Sequence, residues 1–292
     1  MSGTLFVLAT PLGNLGDLSP RALEVLSRVR CIACEDTRRT ARLLARFGLT
    51  TPMVSCHRFN ERERLAPILE RLRGGDDVAL VSDGGTPLIA DPGALLVREA
   101  LAAGIEVSPI PGPSAVTALL SVSGLSGDRY VFDGFLPHRA GERRRRLREL
   151  AAEPRTVVLF EAPHRIRQTL ADLDDLVGTR LLVLGRELTK QYETILRGSA
   201  RDLLARLGDD VKGEITLVLA GAEAGALRDA QPAGDQAVLS AYRSALAEAG
   251  GERRAALRTA ARALGMKRAE LYRYLAELGE TGERAAPVPG ED

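Results

Sequence analysis

Residues 82 to 93 read SDGGTPLIADPG and follow directly on the apolar run Val78 to Val81. Two acids, Asp83 and Asp91, stand here among three glycines and two prolines. A loop that only reversed the chain would need no such set. Gly84 and Gly85 let the backbone approach a ligand closely, Pro87 stiffens the turn, and Thr86 offers a hydroxyl beside its backbone groups. A carboxylate in such a loop suits proton transfer, although Asp83 is equally suited to bracing its own loop through an Asx-turn. Two more loops share this make-up, Thr10-Pro-Leu-Gly-Asn-Leu-Gly16 and Pro111-Gly-Pro-Ser-Ala115. Further groups able to do chemistry are Glu35, Asp36, His57 and the stretch Arg186-Glu-Leu-Thr-Lys190, with a cation, an acid and a hydroxyl close together. Each has a plainer reading. Glu35 or Asp36 can cap the next helix, and Glu187 with Lys190 can form a surface salt bridge.

The elements that must hold these loops alternate. Thr4 to Ala9, Cys31 to Cys34, Val54 and its neighbours, Val78 to Val81 and Glu106 to Ile110 read as strands. Helical patterns lie between them at Pro20 to Arg28, Arg39 to Phe47, Arg62 to Arg73 and Ala94 to Ala103. Such alternation predicts a mostly parallel sheet with helices on both faces, and the ligand crevice of that architecture lies at the carboxyl edge of the strands. All three Gly/Pro-rich loops follow strands, so they converge on that edge. The first of them imitates a dinucleotide fingerprint, but its glycines give only G-x-x-G. Pro11 stands where a phosphate loop must turn tightly, and the loop runs on to Ser19, a credible N-cap with Pro20 behind it. In the second half, strands are predicted at Tyr130 to Phe135, Thr156 to Glu161, Arg180 to Gly185 and Ile215 to Ala220. Helices are predicted near 142 to 152, 166 to 176 and 200 to 207.

Composition removes several function classes. The chain has 292 residues and a formal net charge of +1, so affinity for nucleic acid must come from local patches. No apolar run nears the roughly 20 residues that span a bilayer, and MSGTLFVLATP lacks the basic start and cleavage site of a secretory signal. A cytoplasmic protein without membrane attachment is expected. Cys31, Cys34 and Cys56 are too few for a disulfide framework. Cys31-x-x-Cys34 lies in a strand, where residues three apart face opposite sides, so buried packing is expected and not a metal or redox pair.

Taken together, ATPLGNLGDLSPRALEVL (9 to 26), CEDTRRTARLL (34 to 44), SDGGTPLIADPG (82 to 93), PGPSAV (111 to 116), DGFLP (133 to 137), FEAPHRI (160 to 166), GRELTKQYE (185 to 193) and KGEITLV (212 to 218) resemble the ribosomal RNA small subunit methyltransferase I family. That family lies within the tetrapyrrole-methylase-like S-adenosylmethionine enzymes, and the resemblance covers residues 4 to 220. Gly84 stands where the family usually has Ala, and Ala90 where it usually has Ser.

The resemblance implies an α/β protein with two methylase domains, 1–117 and 118–222, and S-adenosylmethionine in the cleft between them. The implied reaction is methylation of the ribose 2′-oxygen of a cytidine in the decoding region of 16S rRNA in the small ribosomal subunit, by a homodimer. Carried over motif by motif, the cofactor contacts are Pro11 and Leu12, then Gly85, Thr86 and Ile89, then Ser114 and Ala115, with Glu161, Ala162, Glu214 and Ile215 from the second domain. A ribose hydroxyl is a weak nucleophile at neutral pH, so a base or cation should assist it. Asp83, Glu187 and Lys190 are taken as catalytic candidates, with Asp91 and His57 also considered. Substrate contacts are expected from Glu35, Asp36, Arg38, Arg139, Arg143, His164, Arg165, Arg186 and Lys190. For His164 and Arg165, simple helix capping competes with phosphate contact.

Two basic segments bear on the partner. Residues 138 to 148 hold six arginines against Glu142. A run of this kind is usually a solvated face, yet so large a local excess beside DGFLP suits phosphate. After a linker at 223–236, residues 237–279 carry eight basic and four acidic side chains. There Leu264, Met266, Leu271 and Leu275 around a turn at Gly265 read as a helix-turn-helix-like domain, or equally as a packing hairpin. Residues 280–292 read as a disordered tail. A small-molecule methylase acting on a tetrapyrrole-like substrate and a non-catalytic rRNA-binding assembly factor are the alternatives.

Overall fold

The computed structural model describes residues 2–208, 210–222, 235–250, 252–263 and 268–278. The chain divides into two compact units, Met1–Gly221 and Ala222–Asp292.

In the first unit, β1 (Thr4–Leu8), β2 (Cys31–Cys34), β3 (Met53–Ser55), β4 (Val78–Val81) and β5 (Glu106–Ile110) form a parallel sheet in the order β3-β2-β4-β1-β5. β2 and β4 are buried along their whole length, which is why they read as unbroken apolar runs. α1 (Pro20–Arg28) and α2 (Thr37–Arg46) cover one face, and α3 (Glu61–Arg73) with α4 (Ala94–Ala102) covers the other. Cys31 packs into the α3/α4 side and Cys34 into the α1/α2 side, so the two thiols point apart as expected, and all three cysteines are buried. Ser19 caps α1, accepting from the Ala22 N–H at 3.1 Å, with Pro20 in the first helical position.

The central fact for function is a matter of register. Leu8 of β1 pairs with Val81 of β4 on one side and with Ile110 of β5 on the other. The three strands therefore end level, and the loops that follow them start side by side.

The second sheet has the order β6-β7-β10-β8-β9, built from β6 (Tyr130–Phe135), β7 (Thr156–Glu161), β8 (Leu182–Arg186), β9 (Thr194–Gly198) and β10 (Ile215–Leu219). Only β6 and β7 run parallel. α6 (Ala140–Ala151), α7 (Ile166–Val177) and α8 (Ala200–Arg206) pack on one face. On the other lies α5 (Ala115–Ser121), through Val116, Leu119 and Leu120 against Val158, Val183 and Val218. The boundary expected between residues 117 and 118 thus falls inside a helix that packs on the second sheet. The sequence reading missed α5, and it missed β9, a half-buried edge strand with no continuous apolar run. A bulge interrupts β6. Phe132 pairs with Val158 and Gly134 with Leu159, which leaves Asp133 out of the ladder. Gly134 meets the kink with φ +67°.

The second unit contains α9 (Asp235–Glu248), α10 (Arg253–Ala263) and α11 (Arg268–Glu277) around Val238, Tyr242, Ala256, Ala260, Leu271 and Leu275. Leu271 and Leu275 are core residues as expected. Leu264, Gly265, Met266, most of the expected linker and the expected tail lie outside the described residues.

Candidate active site

The level strand ends place the loop after β4 between its neighbours. Thr10 and Gly85 exchange two backbone hydrogen bonds, each 2.9 Å long, and the Thr86 hydroxyl donates to the Pro113 carbonyl at 3.1 Å. Ser82 and Thr10 complete the tie, the Thr10 hydroxyl donating to the Ser82 carbonyl. Gly85 has φ +88°, and a Cβ there would meet Leu12 Cδ2 at 3.2 Å. At Gly84 an added Cβ would stand 3.3 Å from the Pro11 carbonyl, a close but negotiable contact. Leu88 and Ala90 also hold positive φ, at 71° and 68°. Left-handed backbone at two non-glycine residues costs free energy, and such strain tends to gather at ligand sites.

These loops form one wall of a cleft of about 320 Å³. Leu12, Asp83, Gly84, Gly85, Thr86, Ile89, Asp91, Ser114 and Ala115 come from the first sheet's edge. The opposite wall is Phe135, Phe160 to Pro163 and Gly213 to Thr216 from the second sheet. The bulge in β6 turns Phe135 onto Phe160, with ring centroids 5.5 Å apart. Ten of the eleven residues predicted to contact a cofactor line this one cleft. Pro11 differs: it is buried beneath the loop and borders a neighbouring recess. Glu161 contributes its chain position and not a free carboxylate, because the group is 1 % exposed and bonded to Arg165 Nε at 2.8 Å and to the Thr169 hydroxyl at 2.7 Å.

Two carboxyl groups, Asp83 and Asp91, line the cleft, and Glu35 lies close enough to interact with both. Burial pushes Glu35, Asp83 and Asp91 upward, and each is raised further by a neighbouring acid. Asp91 reaches about 6, with Glu35 the strongest of its charged neighbours and a Ser82 hydrogen bond partly opposing the rise. Asp83 accepts the Asp36 N–H at 3.0 Å and faces Arg39 at 3.5 Å, so it braces its loop as well as lining the cleft. Asp36 is the N-cap of α2, bonded to both the backbone and the guanidinium of Arg38, and so takes the capping role open to it.

Glu187 and Lys190 are fixed in charge. Lys190 Nζ donates to Glu187 at 2.8 Å and to Glu214 at 3.0 Å. Burial alone would lower the lysine and raise the glutamate; the hydrogen bonds outweigh it, so Lys190 is held more firmly protonated and Glu187 more firmly ionised. A fixed ion pair makes a poor proton acceptor. Its geometric role is a clasp: the Lys190 stem lies against Gly13, where an added Cβ would stand 2.1 Å from Lys190 Cγ, and Glu187 also accepts the Glu214 N–H.

The basic helix α6 corrects an expectation. Arg143 is 5 % exposed and donates twice to the buried Asp172, at 3.1 and 2.9 Å, so it cannot meet a phosphate. Arg139 pairs with Glu142, Arg144 with Asp172 and Asp175, and Arg146 with Asp133 and Glu149. Three of the six arginines, Arg143, Arg144 and Arg146, are thus neutralised by acids outside the run. Arg165 is likewise buried, held by Glu161, His138 and the Leu136 carbonyl. Arg186 is half-buried and bonds Thr194, while His164 is exposed at the start of α7. His57 and Glu35 border a separate recess beside Phe59, with Asp36, Arg38 and Asp83.

What the sequence reading missed is the outer face of α2. Arg39, Arg42 and Arg46 are exposed and, with Lys190, line a recess of about 430 Å³ that shares Leu12, Asp83 and Glu214 with the cleft. The spacing i, i+3, i+7 within TRRTARLLAR was the available signal.

Comparison with known proteins agrees with this geometry. The sequence model for tetrapyrrole (corrin/porphyrin) methylases matches residues 4–204. A ribosomal RNA small subunit methyltransferase I of Pseudomonas aeruginosa is 51% identical over 227 residues, covering 76% of this chain and 80% of the relative. The protein of the same name from Synechocystis sp. is 49% identical over 222 residues, 75% and 80% of the two chains. Among solved structures, the uroporphyrin-III-C-methyltransferase of Thermus thermophilus superposes with a TM-score of 0.54 at 22% identity, over 75% of this chain and 94% of that one.

Proposed function

The chain belongs to the tetrapyrrole (corrin/porphyrin) methylase family, and from that premise we propose that it transfers a methyl group from S-adenosylmethionine to the ribose 2′-oxygen of a cytidine in 16S rRNA of the small ribosomal subunit. The observation that carries the reading is the 51% identity, over three-quarters of the chain, to a relative named for that ribosomal RNA. The geometry supports it. S-adenosylmethionine, when bound, supplies a methyl group on a sulfonium, so the protein needs to orient and to exclude water more than to activate. The cleft is suited to that work: Leu12, Ala115, Phe160 and Ile215 are apolar walls, and Gly85 and Thr86 present backbone where a side chain on Gly85 would collide with Leu12. Asp91 is the proton acceptor in this reading. A carboxyl group titrating at about 6 is ionised at neutral pH and more basic than an ordinary aspartate, as removal of an alcohol proton requires.

Two methylase domains within residues 1–222, a homodimer, a cytoplasmic location and docking of the helical second unit on rRNA belong to the same proposal. Among the described residues no helix is long and apolar enough to cross a membrane. The test is to incubate small-subunit rRNA with the purified protein and labelled S-adenosylmethionine, hydrolyse in alkali, and map protected linkages. Alkaline cleavage uses the 2′-oxygen, so one protected linkage at a cytidine is expected. Incorporated label with every linkage still cleaved would mean a base methylase, and label transferred only to a tetrapyrrole would overturn the RNA assignment.

A further inference from the structure

The recess beside the cleft has a composition the proposed reaction leaves unexplained. It brings four cations, Arg39, Arg42, Arg46 and Lys190, against two carboxylates, Asp83 and Glu214. Those carboxylates are already engaged. Lys190 bonds Glu214, and Arg39 lies 3.5 Å from Asp83 and 3.8 Å from Glu214. Among the described residues, Arg42 and Arg46 have no carboxylate within ion-pairing distance, although both are exposed on the same helix face. This contrasts with α6, where distant acids occupy most of the arginines. Uncompensated arginines one helical turn apart, at the mouth of a recess, are a surface prepared for an external polyanion.

The rest of the lining narrows the anion. Leu12, Leu15 and Leu43 contribute apolar surface, with Leu15 39% exposed, and the Thr10, Thr40 and Ser82 hydroxyls border the inner end. An apolar shelf beside arginines fits a group that is part flat and part anionic, as a nucleotide within a strand is. The recess shares the Leu12, Asp83 and Glu214 wall with the cleft, so a strand lying in it comes directly to the cleft's mouth.

We infer that this recess is the seat of the RNA strand, with Arg42 and Arg46 on consecutive phosphates beside the nucleotide that is methylated. The inference rests on the proposed RNA reading and adds the site and the residues that hold its substrate. The binding is electrostatic and tied to the backbone. Losing both arginines should therefore weaken RNA binding, lower its salt dependence and leave the cleft unaffected.

The experiment compares the full-length protein with its Arg42→Ala/Arg46→Ala variant, the charge-retaining Arg42→Lys/Arg46→Lys variant and Arg73→Ala. Arg73 is an exposed arginine at the end of α3, on the opposite face of the first sheet. Binding of small-subunit rRNA is measured across a salt series, together with methyl transfer and calorimetric affinity for S-adenosylmethionine. For the double alanine variant, KM for RNA should rise on the order of tenfold, and the slope of log affinity against log salt should shrink by about 1.4, the share of two single-strand phosphates. Cofactor affinity and kcat at saturating RNA should stay within about twofold of the parent. The lysine variant should recover most of the slope, and Arg73→Ala should match the parent. A parent that methylates rRNA while the double alanine variant equals it in KM and slope overturns the seat alone. A parent that neither binds nor methylates rRNA overturns the seat and the proposed function together.

Discussion

Thr10 and Gly85 exchange both backbone hydrogen bonds at 2.9 Å, though 75 residues separate them, and this antiparallel bridge joins two loops whose parent strands run parallel. The bridge holds the glycine at φ +88° with its Cα turned towards Leu12. One side of the cleft is thereby shaped by main chain and not by rotamers.

Gly85→Ala should therefore cost about 1 kcal/mol or more in stability, the usual penalty for a left-handed non-glycine residue. It should also weaken S-adenosylmethionine binding, because the added methyl pushes on Leu12. Thr86→Trp should abolish cofactor binding outright, since the ring has to enter the cleft, while leaving the melting transition cooperative. Calorimetry paired with thermal unfolding separates the two effects, and unchanged cofactor affinity in the tryptophan variant would remove this loop from the site.

Asp91 makes the pH behaviour specific. Its folded pKa, raised to about 6, lies above the ordinary aspartate value near 3.9, so the folded protein holds the proton more tightly than the unfolded chain. The stabilising contribution is full below about pH 4 and is lost as pH rises through 6. Asp91→Asn should gain stability on the order of 2 kcal/mol above pH 7 and nothing below pH 4. Methyl transfer in the parent should rise with pH through about 6, and in the variant that limb should disappear along with most activity. A variant with the parent's pH profile would exclude Asp91 as the proton acceptor.

Arg143 separates structural charge from recognition. Removing one partner of a buried pair strands the other, so Arg143→Ala should destabilise the fold by about 3–5 kcal/mol. Arg143→Met, which keeps much of the volume and leaves Asp172 its contact with Arg144, should cost less. Neither should alter the salt dependence of RNA binding by the protein that remains folded. Chemical denaturation and a binding series in salt check both statements.

The second unit carries the net positive charge of residues 237–279, whereas every residue of the cleft lies before Gly221. Removing residues 232 to 292 should leave S-adenosylmethionine affinity within about twofold and weaken engagement of the ribosomal substrate, most visibly when RNA is limiting. Equal rates for both chains at limiting RNA would show that the unit is dispensable for docking.

The sequence was most informative where one residue type admitted one conformation. Gly85, Pro87 and the paired prolines of 111–114 marked the loops, and the apolar runs marked the strands, so convergence on one sheet edge could be deduced before any coordinates. Side-chain partnership was illegible wherever it depended on distant acids. Nothing local to residues 139–148 announces that Asp133, Asp172 and Asp175 neutralise three of its arginines. The converse holds for Arg42 and Arg46 on α2, which looked ordinary because being unpaired is visible only in three dimensions. Asp36 fell between these cases, since its capping bond spans two residues and a local reading could raise it but not choose it.

The unpaired Asp133 has an effect that resembles a frameshift more than a point substitution. Side chains three apart on a regular strand face opposite ways, yet Phe132 and Phe135 both meet Phe160, with centroids 5.0 and 5.5 Å away. The one supernumerary residue between them resets the parity of everything downstream on β6. Substituting Asp133 would leave that parity alone and disturb only its bond to Arg146. Deleting it would remove the bulge and leave Phe132 and Phe135 adjacent on one face of an unbroken ladder, with Phe135 still opposite Phe160, so the bulge is the means by which a strand one residue too long keeps both rings on the cleft side.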